Sequence, residues 1–187
     1  MKKSERRLVF LIGFIALLIG LAMAAISILI TLKIPADKKQ QALSFAITAI
    51  LYFVLVLIVM NVLKSIWGRM RFREMADPLT QFTPWYQIMN RGGFSDIYAS
   101  FPSGHSMNSA AVILLTLLPG FLPQLEGKER ILKIVAYVWM IIVGSSRIMM
   151  GAHFASDVTV GIMLSLLLSE LTRTIIYKIR ETDKTHI

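Results

Sequence analysis

Two long stretches of the chain contain no charged side chain, namely Leu8–Leu32 and Ala42–Leu63. Each is longer than the roughly 20 apolar residues that a helix needs to cross the hydrocarbon core of a bilayer. The whole chain is 56% hydrophobic and 17% charged, whereas a soluble domain carries about 25% charged residues. These features exclude a water-soluble globular protein. A secreted domain held together by disulfides is also excluded, because the chain has no cysteine.

Hydropathy predicts an all-α fold, a polytopic bundle of about five transmembrane helices in a single domain over residues 1–187. The predicted spans are about 8–32, 42–66, 104–118, 131–147 and 154–177. The basic N-terminus resembles a signal peptide, but the first apolar run exceeds the roughly 7–15 residues of a signal sequence, so we expect a retained helix. The net charge of +9 comes from Lys and Arg that flank the spans, which favours contact with lipid headgroups and not with nucleic acid.

The segment 67–102 is a polar insertion between two predicted spans. It mixes arginines, aromatic residues and turn residues, and it is too long for a plain connection, since long loops are usually functional or disordered. Trp85, Tyr86 and Tyr98 are typical of a segment at headgroup level, where an anchoring role is the simplest interpretation. The insertion is therefore the part of the chain where polar chemistry is expected.

One candidate site residue, His105, follows Pro102-Ser103-Gly104 at the start of a predicted span. Ser103 is suited to cap the helix, and Gly104 lets other atoms approach the backbone closely. A helix N-terminus presents free N–H groups that bind anions such as phosphate. The alternative is an ordinary capped membrane helix.

The second candidate, His153, is followed four residues later by Asp157, so the two side chains share a face if both are helical. Asp157 lies one turn into an apolar span, where an unpaired carboxylate is costly, and His153 is the expected partner. An aspartate that binds one ring nitrogen fixes the tautomer and leaves the other nitrogen free to act as nucleophile or base. Arg147, just before this turn, offers a planar group suited to phosphate.

A third element is Lys64-x6-Arg71 at the end of the second span, which on its own could be interfacial snorkelling. Together, Lys64-x6-Arg71, Pro102-Ser103-Gly104-His105 and Ser146-Arg147-x5-His153-x3-Asp157 resemble the motifs of the type 2 phosphatidic acid phosphatase superfamily. This superfamily also includes the vanadium haloperoxidases. The order and spacing agree over about residues 60–165. Phe72 replaces the proline that follows the family's arginine, and membrane members commonly have six helices, so a further helix N-terminal to the motifs is expected to be missing.

The resemblance implies a role for each residue. His153 would be the nucleophile that forms a phosphohistidine, Asp157 would orient it, and His105 would be the general acid. The phosphate would be bound by Lys64, Arg71, Ser103, Gly104 and Arg147. Fixed cations can supply the charge that phosphoryl transfer requires, and no ligand set for a metal is visible, so no metal or other cofactor is expected.

The expected substrate is a lipid or polyprenyl (di)phosphate, such as undecaprenyl diphosphate, phosphatidylglycerol phosphate or phosphatidic acid. Two alternatives stay open: a lipid phosphotransferase, and a non-enzymatic anion transporter or channel. When the proposed phosphate-binding cations are left out, the side with the loop 67–102 carries fewer Lys and Arg than the other. This difference and the resemblance favour a bacterial cell membrane with an extracytoplasmic active site. The basic cluster Lys2, Lys3, Arg6 and Arg7 argues for the opposite orientation.

Overall fold

The computed structural model describes residues 32–89 and 95–185. The chain divides into two units, 1–40 and 41–187. Of the first unit only residues 32–40 are described. All regular elements in the described residues are helical, which confirms the predicted all-α class. The predicted span 8–32 lies outside the described residues apart from Leu32.

Five α-helices occur in the described residues. They are α1 Lys39–Trp67, α2 Pro78–Gln81, α3 Gly104–Ser109, α4 Glu129–Met149 and α5 Ala155–Thr185. Five 3₁₀ helices lie at Ala36–Lys38, Phe72–Glu74, Asp96–Tyr98, Ala110–Gly120 and Pro123–Leu125. Three described stretches are long and apolar enough to cross a membrane: Ala36–Glu74, Glu129–Met149 and Ala155–Ile176. Helix α1 therefore contains the predicted span 42–66 and α4 contains 131–147, whereas α5 contains the span 154–177 except for residue 154.

The predicted span 104–118 differs from a continuous α-helix. It consists of the short helix α3, followed by a 3₁₀ helix at Ala110–Gly120. The hydroxyls of Ser109 and Thr116 donate to carbonyls three residues earlier, at 2.8 and 2.7 Å. Because a 3₁₀ helix rises about 2.0 Å per residue, against 1.5 Å in an α-helix, the segment reaches roughly 30 Å, about the thickness of a bilayer core.

A buried polar contact joins three helices inside the apolar core. The carbonyl of Met107 on α3 accepts a hydrogen bond from Ser165 Oγ on α5 at 2.7 Å. Tyr52 on α1 contacts the same carbonyl at 3.5 Å and also hydrogen-bonds Ser165. Val56 and Leu114 pack around this contact. The two hydroxyls are thus satisfied where no water is available, and α3 is fixed between α1 and α5.

The outward faces of α1 and α4 are covered with large apolar side chains. Exposed members include Ile50, Val54, Leu57 and Ile58 on α1 and Ile134, Val138, Ile141 and Ile142 on α4. A soluble monomer rarely exposes so large an apolar patch. These faces are therefore suited to contact lipid.

Three glycines bring the polar segments together at one end of the bundle. Gly68 and Gly151, with φ of 61° and 62°, adopt the left-handed conformation that ends α1 and α4. The carbonyl of Gly151 accepts from Arg73 N at 2.9 Å, which ties the α4–α5 loop to the insertion. Gly161 on α5 lies so close to the segment before α3 that a Cβ atom there would be 2.9 Å from the Ser103 carbonyl oxygen.

Candidate active site

A cavity of about 250 Å³ opens at this end of the bundle. It is lined by Met60, Lys64, Arg71, Gly104, His105, Asn108 and His153. Five of the residues singled out from the sequence therefore meet in one place, although they come from α1, the insertion, α3 and the α4–α5 loop. Three others, Ser103, Arg147 and Asp157, do not line the cavity.

The two cations of the first motif are both held at the cavity by hydrogen bonds. Lys64 Nζ donates to the carbonyl of Ala99 at 2.7 Å. Arg71 donates from Nε to the Asp96 carbonyl at 2.8 Å, and its Nη2 forms an ion pair with the Asp96 carboxylate at 2.5 Å. The other terminal nitrogen, Nη1, lies 3.3 Å from His153 Nε2. Positive charge is thus fixed directly beside the imidazole.

His153 lies in the loop between α4 and α5 and is only 3% exposed. Its Nδ1 is 2.7 Å from the Ser100 carbonyl. Because a carbonyl only accepts, Nδ1 must carry the proton, and Nε2 of the neutral ring then presents a lone pair toward Arg71. Burial lowers the pKa of His153 to about 3, and the charges of Arg71 and Lys64 act in the same direction against the Ser100 hydrogen bond. The ring is therefore neutral at ordinary pH, as a nucleophile requires.

The direct hydrogen bond expected between His153 and Asp157 is not formed. The closest approach, from His153 Nδ1 to Asp157 Oδ2, is 3.9 Å. Asp157 is completely buried, and its carboxylate accepts from Ser100 Oγ at 2.6 Å, Phe154 N at 3.0 Å and Arg69 Nη1 at 2.5 Å. The expectation assumed a helix through both residues, but α5 begins at Ala155. His153 therefore precedes the helix, and its ring turns to Ser100.

Arg69 is the functional candidate that the sequence reasoning missed. It is 1% exposed and forms the buried ion pair with Asp157. One signal could have found it, since a carboxylate in an apolar span requires a cation, and Arg69 is in the polar segment just after α1. The motif spacing directed attention to Arg71, two residues further on.

Two predicted phosphate ligands have their side chains engaged elsewhere. Ser103 is fully buried and caps α3, because its Oγ accepts from Ser106 N at 3.4 Å and Ser106 Oγ at 2.9 Å. Arg147 contacts Ser146 Oγ at 3.3 Å and Met150 Sδ at 3.1 Å. Within residues 32–89 and 95–185, no group of three or more His, Asp or Glu side chains is arranged to hold a metal ion.

Residues 45–181 match the family model of the PAP2 superfamily. The chain is 42% identical over 83 residues to phosphatidylglycerophosphatase B of Bacillus subtilis (strain 168), a match that covers 43% of this chain and 41% of that protein. It is 33% identical over 142 residues to lipid A 1-phosphatase of Rhizobium johnstonii (strain DSM 114642 / LMG 32736 / 3841), covering 73% of this chain and 51% of that protein. The chain thus spans about half the length of these relatives or less. No solved structure matches it significantly.

Proposed function

Because the chain belongs to the PAP2 superfamily, we propose that it is a membrane phosphatase that hydrolyses a lipid or polyprenyl (di)phosphate through a phosphohistidine. One observation carries the proposal: His105, His153, Lys64 and Arg71 line the same cavity. The two histidines can divide the attack on phosphorus and the protonation of the leaving group between them. The two cations can bind the phosphate oxygens.

In the first step, the lone pair of His153 Nε2 attacks phosphorus, and the P–O bond to the leaving group breaks as the N–P bond forms. His105 gives a proton to the departing oxygen. A water molecule, deprotonated by His105, then attacks the phosphohistidine and releases inorganic phosphate. In both steps Nδ1 of His153 stays protonated and donates to the Ser100 carbonyl. This hydrogen bond holds the attacking nitrogen toward the cavity.

Charge on the phosphate is balanced by Lys64 and Arg71, which the protein holds in position before substrate binds. Such preorganised charge stabilises the transition state without reorganisation. We propose that Ser103, the Gly104 amide and Arg147 complete the phosphate site after movement of the side chains described above. The Asp157 carboxylate, 3.9 Å from His153 Nδ1, would stabilise the positive charge that develops on the ring.

The cavity lies among helices with lipid-facing apolar surfaces, which suits a substrate whose tail stays in the bilayer. The two relatives are named as phosphatases of phosphatidylglycerophosphate and of the 1-phosphate of lipid A. By extension we propose phosphatidylglycerol phosphate, phosphatidic acid or undecaprenyl diphosphate as substrates here. We further propose that the protein lies in a bacterial cell membrane, with the site on the extracytoplasmic side.

The test is release of inorganic phosphate from each of these lipids by the full chain in detergent micelles with excess EDTA. We expect release to persist, vanadate to inhibit it, and His153→Ala to abolish it. Complete loss in EDTA that Mg²⁺ restores would contradict the mechanism. A phosphotransferase would be recognised by transfer of the phosphoryl group to an added alcohol in preference to water.

A further inference from the structure

We propose that Arg69 is a positioning residue that holds the His153 ring in its reactive tautomer through Ser100 and Asp157. The inference rests on the proposed function, because it assigns Arg69 a part in the attack by His153. Arg69 does not line the cavity, and it occupies one of the six positions that the motif Lys64-x6-Arg71 leaves unspecified.

Ser100 is held by Arg69 from two directions. The main-chain carbonyl of Arg69 accepts from Ser100 N at 3.0 Å. The guanidinium of Arg69 holds one oxygen of Asp157 at 2.5 Å, and the other oxygen accepts from Ser100 Oγ at 2.6 Å. The backbone and the side chain of Ser100 therefore both depend on where Arg69 lies.

The Ser100 carbonyl is in turn the group that accepts the Nδ1 proton of His153, at 2.7 Å. If Ser100 moves, the proton can shift to Nε2, and the nitrogen that faces Arg71 then has no lone pair for attack. Arg69 thus controls which nitrogen is nucleophilic, although it does not touch the substrate.

Arg69 is itself rigidly placed, and the contacts require a guanidinium. Its Nε donates to the Thr83 carbonyl at 2.9 Å, and its Nη1 donates to Ser156 Oγ at 2.8 Å. The Phe154 ring lies against the guanidinium, with 4.1 Å from the carbon atom Cζ to the ring centroid. A lysine would keep the charge beside Asp157 but could not make this fork of hydrogen bonds or stack in the same way.

Two variants test the inference. Arg69→Lys keeps the positive charge and loses the forked hydrogen bonds of the guanidinium. The double variant Arg69→Gln/Asp157→Asn replaces the ion pair with neutral amides, so no buried charge is left unpaired. Arg73→Gln is the matched control, because Arg73 is a neighbouring arginine outside the cavity lining. It is 42% exposed and pairs with Glu74, and its contact with Asp96 is long, at 3.8 Å.

We expect Arg69→Lys to lower kcat about 10–100-fold, as for groups that orient metal-binding histidines. The double variant should lower kcat further, because it also removes the Asp157 charge beside His153. KM and inhibition by inorganic phosphate should stay within about threefold of the wild-type values, since the phosphate contacts are untouched. In ¹⁵N NMR of the ring, wild-type His153 should be protonated at Nδ1 alone, and the variants should show a mixture of tautomers. Arg73→Gln should match the wild type in all four measurements.

An unchanged kcat with an unchanged tautomer would overturn the inference. So would a loss of inorganic phosphate binding in parallel with kcat, or failure of both variants to fold, because either result would assign Arg69 a purely structural role. The proposed function fails separately, if the wild-type protein releases no phosphate from any lipid phosphate. The tautomer comparison needs no substrate and still tests Arg69 in that case.

Discussion

At the scale of single residues, the two cavity histidines differ in their access to solvent. His153 is buried beneath Arg71, whereas His105 on α3 is exposed at the cavity. A nucleophile benefits from a fixed, desolvated position, while a general acid must reach the oxygen that leaves. The difference in burial therefore supports the division of roles proposed for them.

Replacement of each histidine by alanine should separate these roles. His153→Ala should abolish turnover of every substrate and prevent phosphoenzyme formation. His105→Ala should lower turnover of a lipid phosphate by roughly 10²–10⁴-fold, the usual contribution of a general acid. It should have a much smaller effect on an aryl phosphate, whose leaving group needs little protonation.

The measurement is the kcat of both variants on a lipid phosphate and on an aryl phosphate under the same conditions. Equal losses on the two substrates for His105→Ala would contradict the acid role. The single variant Arg73→Gln shows how far a substitution near the site lowers kcat nonspecifically, since the Arg73 side chain is not part of the cavity lining.

At the scale of elements, α5 supports the segment that carries His105. Gly161 permits the contact, because a Cβ atom there would meet the Ser103 carbonyl oxygen at 2.9 Å and Met107 Cγ at 3.3 Å. The carbonyl cannot move freely, since it accepts from Met107 N at 2.9 Å in the first turn of α3. Small residues at helix contacts serve this close approach in membrane proteins.

Gly161→Ala should therefore destabilise the protein by about 1–3 kcal/mol, the usual cost of overpacking, and should lower turnover because α3 is displaced. Thermal unfolding in detergent and phosphate release measure the two effects. Gly120→Ala is the control, since a Cβ atom at Gly120 would meet nothing within 4 Å. If the two alanine variants behaved alike, the contact would not limit the position of α3.

The helices could be predicted from the sequence because long apolar runs have one stable solution in a bilayer. The 3₁₀ form of Ala110–Gly120 could not be predicted in this way. Apolar content does not distinguish a 3₁₀ helix, with 3.0 residues per turn, from an α-helix, with 3.6. Similarly, the sequence indicated that Asp157 needs a partner, but not that this partner is Arg69, 88 positions earlier in the chain. The family resemblance implied a common site for Lys64, Arg71, His105 and His153, whereas contacts between distant segments depend on how the helices pack.

At the scale of the whole molecule, the cavity lies at one end of the helices, and the opposite ends of α4 and α5 carry their own charges. Arg130 and Lys133 near the start of α4 and Arg173 on α5 line a separate cavity with Glu129 and Glu170. Basic residues at the helix ends away from the active site fit a cytoplasmic face under the positive-inside rule. This distribution supports the proposed extracytoplasmic active site.

Cysteine labelling in intact cells tests this orientation, because the chain has no cysteine of its own. Leu79→Cys lies in the insertion at the active-site end, where Leu79 is 95% exposed. Glu126→Cys is its counterpart beyond the other end of α4. A membrane-impermeant maleimide should label the first in intact cells and the second only after permeabilisation. The reverse pattern would put the active site in the cytoplasm.

In the 3₁₀ helix at Ala110–Gly120 the direction of the side chains repeats every three residues. Side chains three positions apart are eclipsed in such a helix, so they form straight edges parallel to its axis. Ala111, Leu114 and Leu117 form the edge that joins the core around Tyr52, whereas Ala110 and Ile113, with Val112 from the third edge, meet Ala136 and Met140. One inserted residue would turn all later side chains by about 120° and exchange these edges, whereas three inserted residues would restore the phase. Insertions or deletions of three residues would therefore keep both sets of contacts and change the reach of the segment across the bilayer in steps of about 6 Å.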